Sequence, residues 1–484
     1  MVIPSYKELE VLAKEYSMIP ICKEIYADII TPITLLRRIS ERSDRYYLLE
    51  SVEGGEQWGR YSFLGFDPIV HVIGKDRIIS IDDGSVRQLA TDQPFDVLRE
   101  LMEKYKAPRL TGMPPFTGGL VGYFSYEMIG YAEPVLKLKS SDVNDFDLML
   151  FDKVIAYDHL KQKICLVINM KTDNLRSSYE KKLEELEDLT RFIMEGKPFL
   201  PSYKASKASF TCNITKEEYC RLVERAKNYI VNGDIFQAVI SRRFESEYED
   251  SLLNAYRVLR TTNPSPYMVF LQNRELQLIS TSPETLVRLK DGTLSTFPIA
   301  GSRPRGENAE EDHALEEELL LDEKELSEHN MLVDLARNDL GKISQYNSVK
   351  VADYKRIRKY SRIMHITSEV EGRIKRDMDA LDAIKAILPA GTLSGAPKIR
   401  ACEIIEELEK TPRGIYGGAI GYIDFTGNMD TCIAIRMAVK KKDRVYIQAG
   451  AGIVADSVPE KEYEESKNKA RAVIEAIQHA GEVL

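Results

Sequence analysis

The stretch GIYGGAIGYIDFTGNMDTCIAIRMAVKKKDRVYIQAGAGIV, residues 414–454, decides the fold class. Three apolar runs alternate with two tight turns, at Thr426–Asn428 and at Lys441–Asp443. Turns this short join only antiparallel neighbours, because a parallel connection needs a crossover of about a dozen residues or more. The spacing predicts three strands: GIYGGAIGYIDF, TCIAIRMAVK and RVYIQAGAGIV. Arg436 interrupts the second, where a charge needs a structural carboxylate or a ligand's carboxylate; forked guanidinium geometry suits both. Tyr416, on the neighbouring strand, offers a hydroxyl.

Working outward, strands around turns are expected over 45–55 and 59–74, then a hairpin at 77–82 and 86–90, then DLMLFDKVIAYD (147–158) and KICLVINM (163–170). Further strands fit IFQAVISRRFES, YMVFLQ, LQLIS, ETLVRL and TLSTF. Helical periodicity marks 94–107, 173–195, 378–388, 397–410 and 459–475. Another helix should start at Thr215, boxed by Glu218, and stop at Gly233. The aperiodic Pro-, Ser- and Lys-rich segment 197–213 reads as a linker between 1–196 and 214–484. GGLVGYFSYE (118–127) echoes GGAIGYIDF (417–425), which leaves two readings: glycines for close strand approach, or a repeated half-fold.

The net charge is −9 and basic residues are scattered, so nucleic acid and anionic membrane are poor partners. The N-terminus carries no basic-then-apolar leader and no run reaches membrane-spanning length. Six cysteines without C-x-x-C pairs fit a reduced, cytoplasmic protein.

Chemistry gathers in two helices. In DEKELSEHNMLVDLARNDLG (322–341), Glu325, Glu328, Leu332, Leu335 and Ala336 share one stripe, with Gly341 as the expected stop. Asp322 also suits a helix cap, with Glu325 closing a capping box. In PEKEYEESKNKARAVIEAI, Glu462, Glu465 and Lys469 share a face with Val473 and Ala476. Two such carboxylate pairs suit Mg²⁺, or two solvated glutamate-rich helices. The glycine-rich LPAGTLSGAPKIRACEIIEEL (388–408) and QAGAGIV (448–454) offer backbone cradles for an anionic oxygen, the former at a helix N-terminus. His365, in RIMHITSEVEG, is either a satisfied structural histidine or a proton carrier.

Together PIAGSRPRG (298–306), KELSEHNMLVDLARNDLG (324–341), HITSEVEG (365–372), LPAGTLSGAPKIRA (388–401), GIYGGAIGY (414–422) and GAGIVADSVPEKEYEESKNKA (450–470) resemble the chorismate-utilising enzymes, most closely the anthranilate synthase component I branch. The resemblance implies an α+β fold, a sandwich of two large, mainly antiparallel sheets with helices outside. It implies Mg²⁺ on Glu328 and Glu465, supported by Glu325 and Glu462. Tyr416, Arg436, Gly450, Ala451, Gly452 and Lys469 match positions that hold the substrate carboxylates. Glu284 matches the acid that protonates the departing C4 hydroxyl, and His365 and Thr392 match positions tied to pyruvate elimination.

Two positions mark the branch. Ala300 stands where aminodeoxychorismate synthases carry a nucleophilic lysine, and Gln237 where isochorismate and salicylate synthases carry a lysine base. Ammonia is then the expected nucleophile, at C2 of chorismate. Ser302, where threonine is usual, keeps the hydroxyl. The chain lacks the G-x-C-x-G elbow of a glutaminase, so the resemblance implies a separate glutamine amidotransferase subunit (component II) in a heterotetramer of two large and two small subunits. Leu49–Glu50–Ser51 and Asn263, Pro264, Pro266, Tyr267 and Met268 match the two walls of a tryptophan feedback site. An aminodeoxychorismate synthase subunit and a non-catalytic chorismate- or tryptophan-binding regulator are the alternatives.

Overall fold

The computed structural model describes residues 2–51, 59–196, 208–359 and 363–483. Two antiparallel sheets, of thirteen and twelve strands among these residues, stack face to face. The layer between them is a core of Tyr47, Phe116, Val121, Met149, Phe151, Val154, Leu278, Ile420 and Met437. Outside the larger sheet a second core packs the Pro32–Arg42, Leu175–Glu195, Leu253–Thr262 and Pro459–Gln478 helices. Outside the smaller sheet lie Pro94–Glu103, Glu323–Ile343 and Ala380–Ile387. This is the α+β sandwich expected from the sequence. The expected linker falls mostly on 197–207, outside the described residues, and both sheets draw strands from both sides of it.

Two of the predicted long strands are each two strands. The run 147–158 divides into Phe146–Phe151 and Lys153–Asp158, and TCIAIRMAVK divides into Met429–Ile433 and Met437–Lys441. In each case the first piece pairs in the smaller sheet and the second in the larger. Both pieces face the shared core, so the apolar run continues through the step and conceals it.

The glycine echo marks a repeated topology. In the larger sheet, Met18–Tyr26, Lys163–Lys171, Lys153–Asp158, Tyr61–Phe66 and Arg45–Glu50 run inward to the centre. Gln237–Glu247, Arg444–Ile453, Met437–Lys441, Leu276–Ser282 and Tyr267–Asn273 approach it from the other side in the corresponding chain order. The halves meet at Arg45–Glu50 against Tyr267–Asn273, and in the smaller sheet at Gly119–Phe124 against Ala419–Asp424. The echo glycines also serve close approach: a Cβ on Gly119 would lie 2.0 Å from the Ile423 carbonyl oxygen.

Thr215 and Glu218 form the expected capping box of Lys216–Val231, and Gly233 follows at φ +81°. Asp322 caps Glu323–Ile343 by accepting from the Lys324 and Glu325 amides, but the Glu325 carboxylate does not close a box. Nor does Gly341 stop this helix. It runs two residues further, held by Leu340 and Ile343 in the core, where packing outweighs glycine's weak helix propensity.

Candidate active site

The two steps between sheets in the second half carry the two charges of interest. The chain leaves the larger sheet after Ser282 and re-enters it at Met437; Glu284 lies in the first step and Arg436 in the second. Arg436 is therefore not a strand residue. Its φ of +46° is left-handed, which costs an L-residue about 1–2 kcal/mol and so must be held by its surroundings. The Thr281 amide donates to the Arg436 carbonyl at 3.1 Å and Ser280 Oγ to the Ile435 carbonyl at 3.0 Å. Burial pushes the guanidinium pKa down, and the charge opposing that shift is Glu284. Burial in turn raises the Glu284 pKa, against the cations Lys469 and Arg436.

Thr392, in the turn Gly391–Leu393, faces Glu284 without reaching hydrogen-bond geometry; its buried Oγ1 has no partner. Both line a cavity of about 50 Å³ with Leu332, Leu335 and Ala336, so the predicted stripe of the Glu323–Ile343 helix does face the site. His365 lies opposite Ser302 across a bulge whose Gly301 has φ +67°. The imidazole Nδ1–H donates to the Gly301 carbonyl at 3.0 Å, and burial, assisted by the Arg436 charge, pushes its pKa down. The ring is neutral near pH 7. A side chain at Gly301 would also meet Glu325 Oε2 at 3.2 Å, so the bulge joins histidine and carboxylate. Ala300 beside it is buried against Ile366.

The carboxylate pairs border the buried helix faces rather than continue them. Glu325 and Glu462 are half-buried, while Glu328 and Glu465 are more open and Glu465 lines the large cleft. Burial raises the Glu328 pKa, and the charges of Glu325 and Glu465 raise it further, which brings the two helices' acids into one field. Glu462 is raised by burial and by Glu465. Lys469 Nζ lies 2.7 Å from Glu465 Oε1. An excess of oxygen donors and negative charge fits a hard divalent cation, although no three such side chains converge as ligands among the described residues.

Of the two expected backbone cradles, one lies on Arg444–Ile453 and the other just before the Lys398–Leu408 helix. Gly395–Ala396 is engaged as a short strand against Gln237 and Ala238, and Pro397 precedes the Lys398–Leu408 helix. Gly450 and Gly452 face Ser241 and Val239 in the adjoining strand, and Ala451 turns its methyl into an outer core. A Cβ on Gly452 would lie 2.6 Å from Gln237 Nε2, and Gln237 Oε1 is buried without a partner. Tyr416 lies in the turn before Ala419–Asp424, its hydroxyl facing the Gly450 amide. Arg436, Glu465 and Lys469 open onto a cleft of about 1110 Å³ along the closing helix.

Six of the eight residues expected for an inhibitor site share a separate cavity of about 200 Å³: Leu49, Glu50, Ser51, Pro266, Tyr267 and Met268. Asn263 lines the large cleft instead, and Pro264 lines neither. Glu50 is fully engaged: Tyr256 and Arg260 Nε donate to Oε1 at 2.7 Å each, and Ser62 to Oε2 at 3.1 Å. Tyr267 donates to Asp430 at 2.8 Å and lies 2.9 Å from Thr285 Oγ1, beside Glu284.

Sequence reasoning missed the buried cations that hold this site together. Arg242 donates to Ser466 Oγ and the Tyr463 carbonyl and stacks 3.8 Å from the Tyr463 ring, fixing the closing helix. Lys398 grips Asp339 at 2.9 Å. Arg413 pairs with Glu409, and its one signal was its place just before GIYGG.

Residues 45–475 match the model of the chorismate binding enzymes. Anthranilate synthase component 1 of Acetivibrio thermocellus is 46% identical over 100% of both chains, and that of Aquifex aeolicus 45% identical over 99% of this chain and 98% of its own. The crystal structure of anthranilate synthase component I from Streptococcus pneumoniae superposes with TM-score 0.76 at 36% identity, covering 93% of this chain and 99% of that one. The menaquinone-specific isochorismate synthase of Escherichia coli shares the fold, with TM-score 0.71 at 18% identity over 98% of each chain.

Proposed function

Because the chain belongs to the chorismate-binding enzymes, among relatives that are anthranilate synthase component I, we propose that it aminates chorismate at C2 with ammonia and releases pyruvate to give anthranilate. The observation that carries this reading is Arg436, a half-buried cation at the cleft, beside Glu284 and His365 and with no ion pair among the described residues. A substrate carboxylate would supply the missing charge.

Arg436, Tyr416 and the Gly450 and Gly452 amides bind the carboxylates and fix the ring. Ammonia adds at C2 while Glu284, whose hold on a proton burial strengthens, donates that proton to the C4 oxygen, which leaves as water. The C2 proton is then removed and pyruvate departs, which aromatises the ring; the neutral His365, oriented by Gly301, and the unpartnered Thr392 hydroxyl serve this step. Ala300 and Gln237 offer no amine to compete with ammonia. Glu325, Glu328, Glu462 and Glu465 would hold Mg²⁺, which when bound neutralises the ring carboxylate. The 200 Å³ cavity would take tryptophan as feedback inhibitor, and a glutamine amidotransferase subunit would supply ammonia in a heterotetramer.

The test is anthranilate fluorescence from the purified chain with chorismate and Mg²⁺. Product with ammonium, none with glutamine, and loss on adding tryptophan are expected. A non-aromatic amino product would overturn the assignment in favour of aminodeoxychorismate synthesis. No consumption of chorismate would leave only a regulator.

A further inference from the structure

Among the described residues, strand Gln237–Glu247 is flanked on its outer side by two fragments only, Gly395–Ala396 against Gln237 and Ala238, and Thr211–Cys212 against Phe244 and Glu245. Between them, Val239 C=O and Ser241 N–H have no strand to bond among the described residues. A buried ion pair fills the gap. Glu409 Oε1 accepts from the Ser241 amide at 2.7 Å and its hydroxyl at 2.9 Å, and Arg413 Nη2 donates to the Val239 carbonyl at 2.7 Å. Arg413 also donates to both Glu409 oxygens and, at 2.5 Å, to the Leu393 carbonyl. The two side chains are 2% and 6% exposed, where an ion pair rarely adds net stability and a well-packed apolar pair would serve as well.

What the pair touches explains its presence. Val239 and Ser241 are the register partners of Gly452 and Gly450. Leu393 follows Thr392 in the same turn. The guanidinium lies 5.8 Å from the Tyr416 ring centroid, and Gln448 locks Ser241 Oγ from the side at 2.8 Å. We infer that Glu409 and Arg413 are positioning residues: one rigid strut that sets the Gly450–Gly452 amides, the Thr392 turn and Tyr416 in mutual register before substrate arrives. Neither touches the reacting atoms. The inference rests on assigning that cradle to chorismate.

The test uses Glu409→Gln and Arg413→Lys in the full chain, with steady-state kinetics in ammonium and thermal melting beside them. Leu166→Ala, in the distant outer core, serves as a variant that only destabilises. Both strut variants should raise KM for chorismate about tenfold or more and lower kcat less, with KM for ammonium unchanged, while Leu166→Ala lowers Tm and leaves both KM values alone. Arg413→Lys, which keeps the charge, should retain more chorismate affinity than Arg413→Met. Strut variants that melt early yet keep the wild-type KM would overturn the inference. If Arg413→Met does not fold, Glu409→Gln decides alone, because its shape and most of its hydrogen bonds survive. A wild type that does not consume chorismate would instead sink the functional reading, which separates the two failures.

Discussion

The two halves of this chain thread the sandwich alike and use the result differently. Each half steps from the larger sheet to the smaller after one strand and returns after another. In the first half the steps contain Ile69 and Asp152, in the second Glu284 and Arg436. Ile69 donates its amide to the Leu150 carbonyl and packs against the core outside the smaller sheet. Asp152 is held 3.8 Å from Lys182. These are structural solutions. The second-half charges instead act on one another, Glu284 lining the 50 Å³ cavity and Arg436 the large cleft. The halves differ again in what joins their middle strands: residues 83–118 are short, whereas 297–418 bring the Glu323–Ile343 helix, the His365 strand and the Thr392 turn. A sheet crossing is a rigid mount, and chemistry follows where an added segment closes over it.

Substituting the two counterpart charges tests that contrast most severely. Arg436→Met should lower kcat/KM by about a thousandfold, the order expected for a preorganised charge that meets the substrate. Asp152→Asn should stay within about twofold, because neither it nor Lys182 lines the cleft of Arg436 or the cavity of Glu284. Equal losses in the two variants would mean that the crossings matter only as fold.

Much of this was legible, and the gaps have physical causes. Alternation and short turns gave nearly every strand of the meander, since half-buried antiparallel strands write their faces into the sequence. The crossings at 152 and 434–436 were invisible because apolar residues continue on both sides of each step. Arg436 stood out as a charge in an apolar run, but it sits in a left-handed turn instead of the expected strand. The four glutamates were legible as two pairs expected to share one site, but the Arg242 contacts that dock the closing helix beside the other were not. The Glu409–Arg413 strut answers a gap in a sheet edge, a need that exists only in three dimensions.

The seam between the halves gives a smaller effect. Leu49–Ser51 ends one central strand and Pro266–Met268 begins its partner, so the 200 Å³ cavity belongs to both halves. Its polar groups are largely spent on neighbours, Glu50 on Arg260 and Tyr267 on Asp430, unlike the unpartnered Thr392 Oγ1 and Gln237 Oε1 of the candidate active site. A ligand there must rely on its own apolar body. Ser51→Phe would fill that space and should raise the tryptophan concentration for half-inhibition about tenfold or more, with KM for chorismate within about twofold. Unchanged inhibition would remove the inhibitor from this cavity.

The smallest effect concerns how the added segment is seated. His329, on the Glu323–Ile343 helix, is fully buried; its Nε2 lies 2.6 Å from Ser368 Oγ, and its Nδ1 has no partner. Burial, with the Lys355 charge assisting, pushes its pKa down to about 4. A histidine whose folded value lies below its unfolded one, about 6.5, contributes full stability above that unfolded value and loses it as pH falls towards the folded one. The contribution amounts to roughly 3 kcal/mol at most between about pH 6.5 and 4. His329→Gln should therefore melt lower than the wild type at pH 7 yet lose less stability on acidification, so that the two melting curves converge near pH 4.5. Such convergence, without a matching change at the Asp152 crossing, would show that the added segment and not the duplicated frame is the acid-sensitive part of the molecule. Parallel curves would mean that His329 is seated by shape alone.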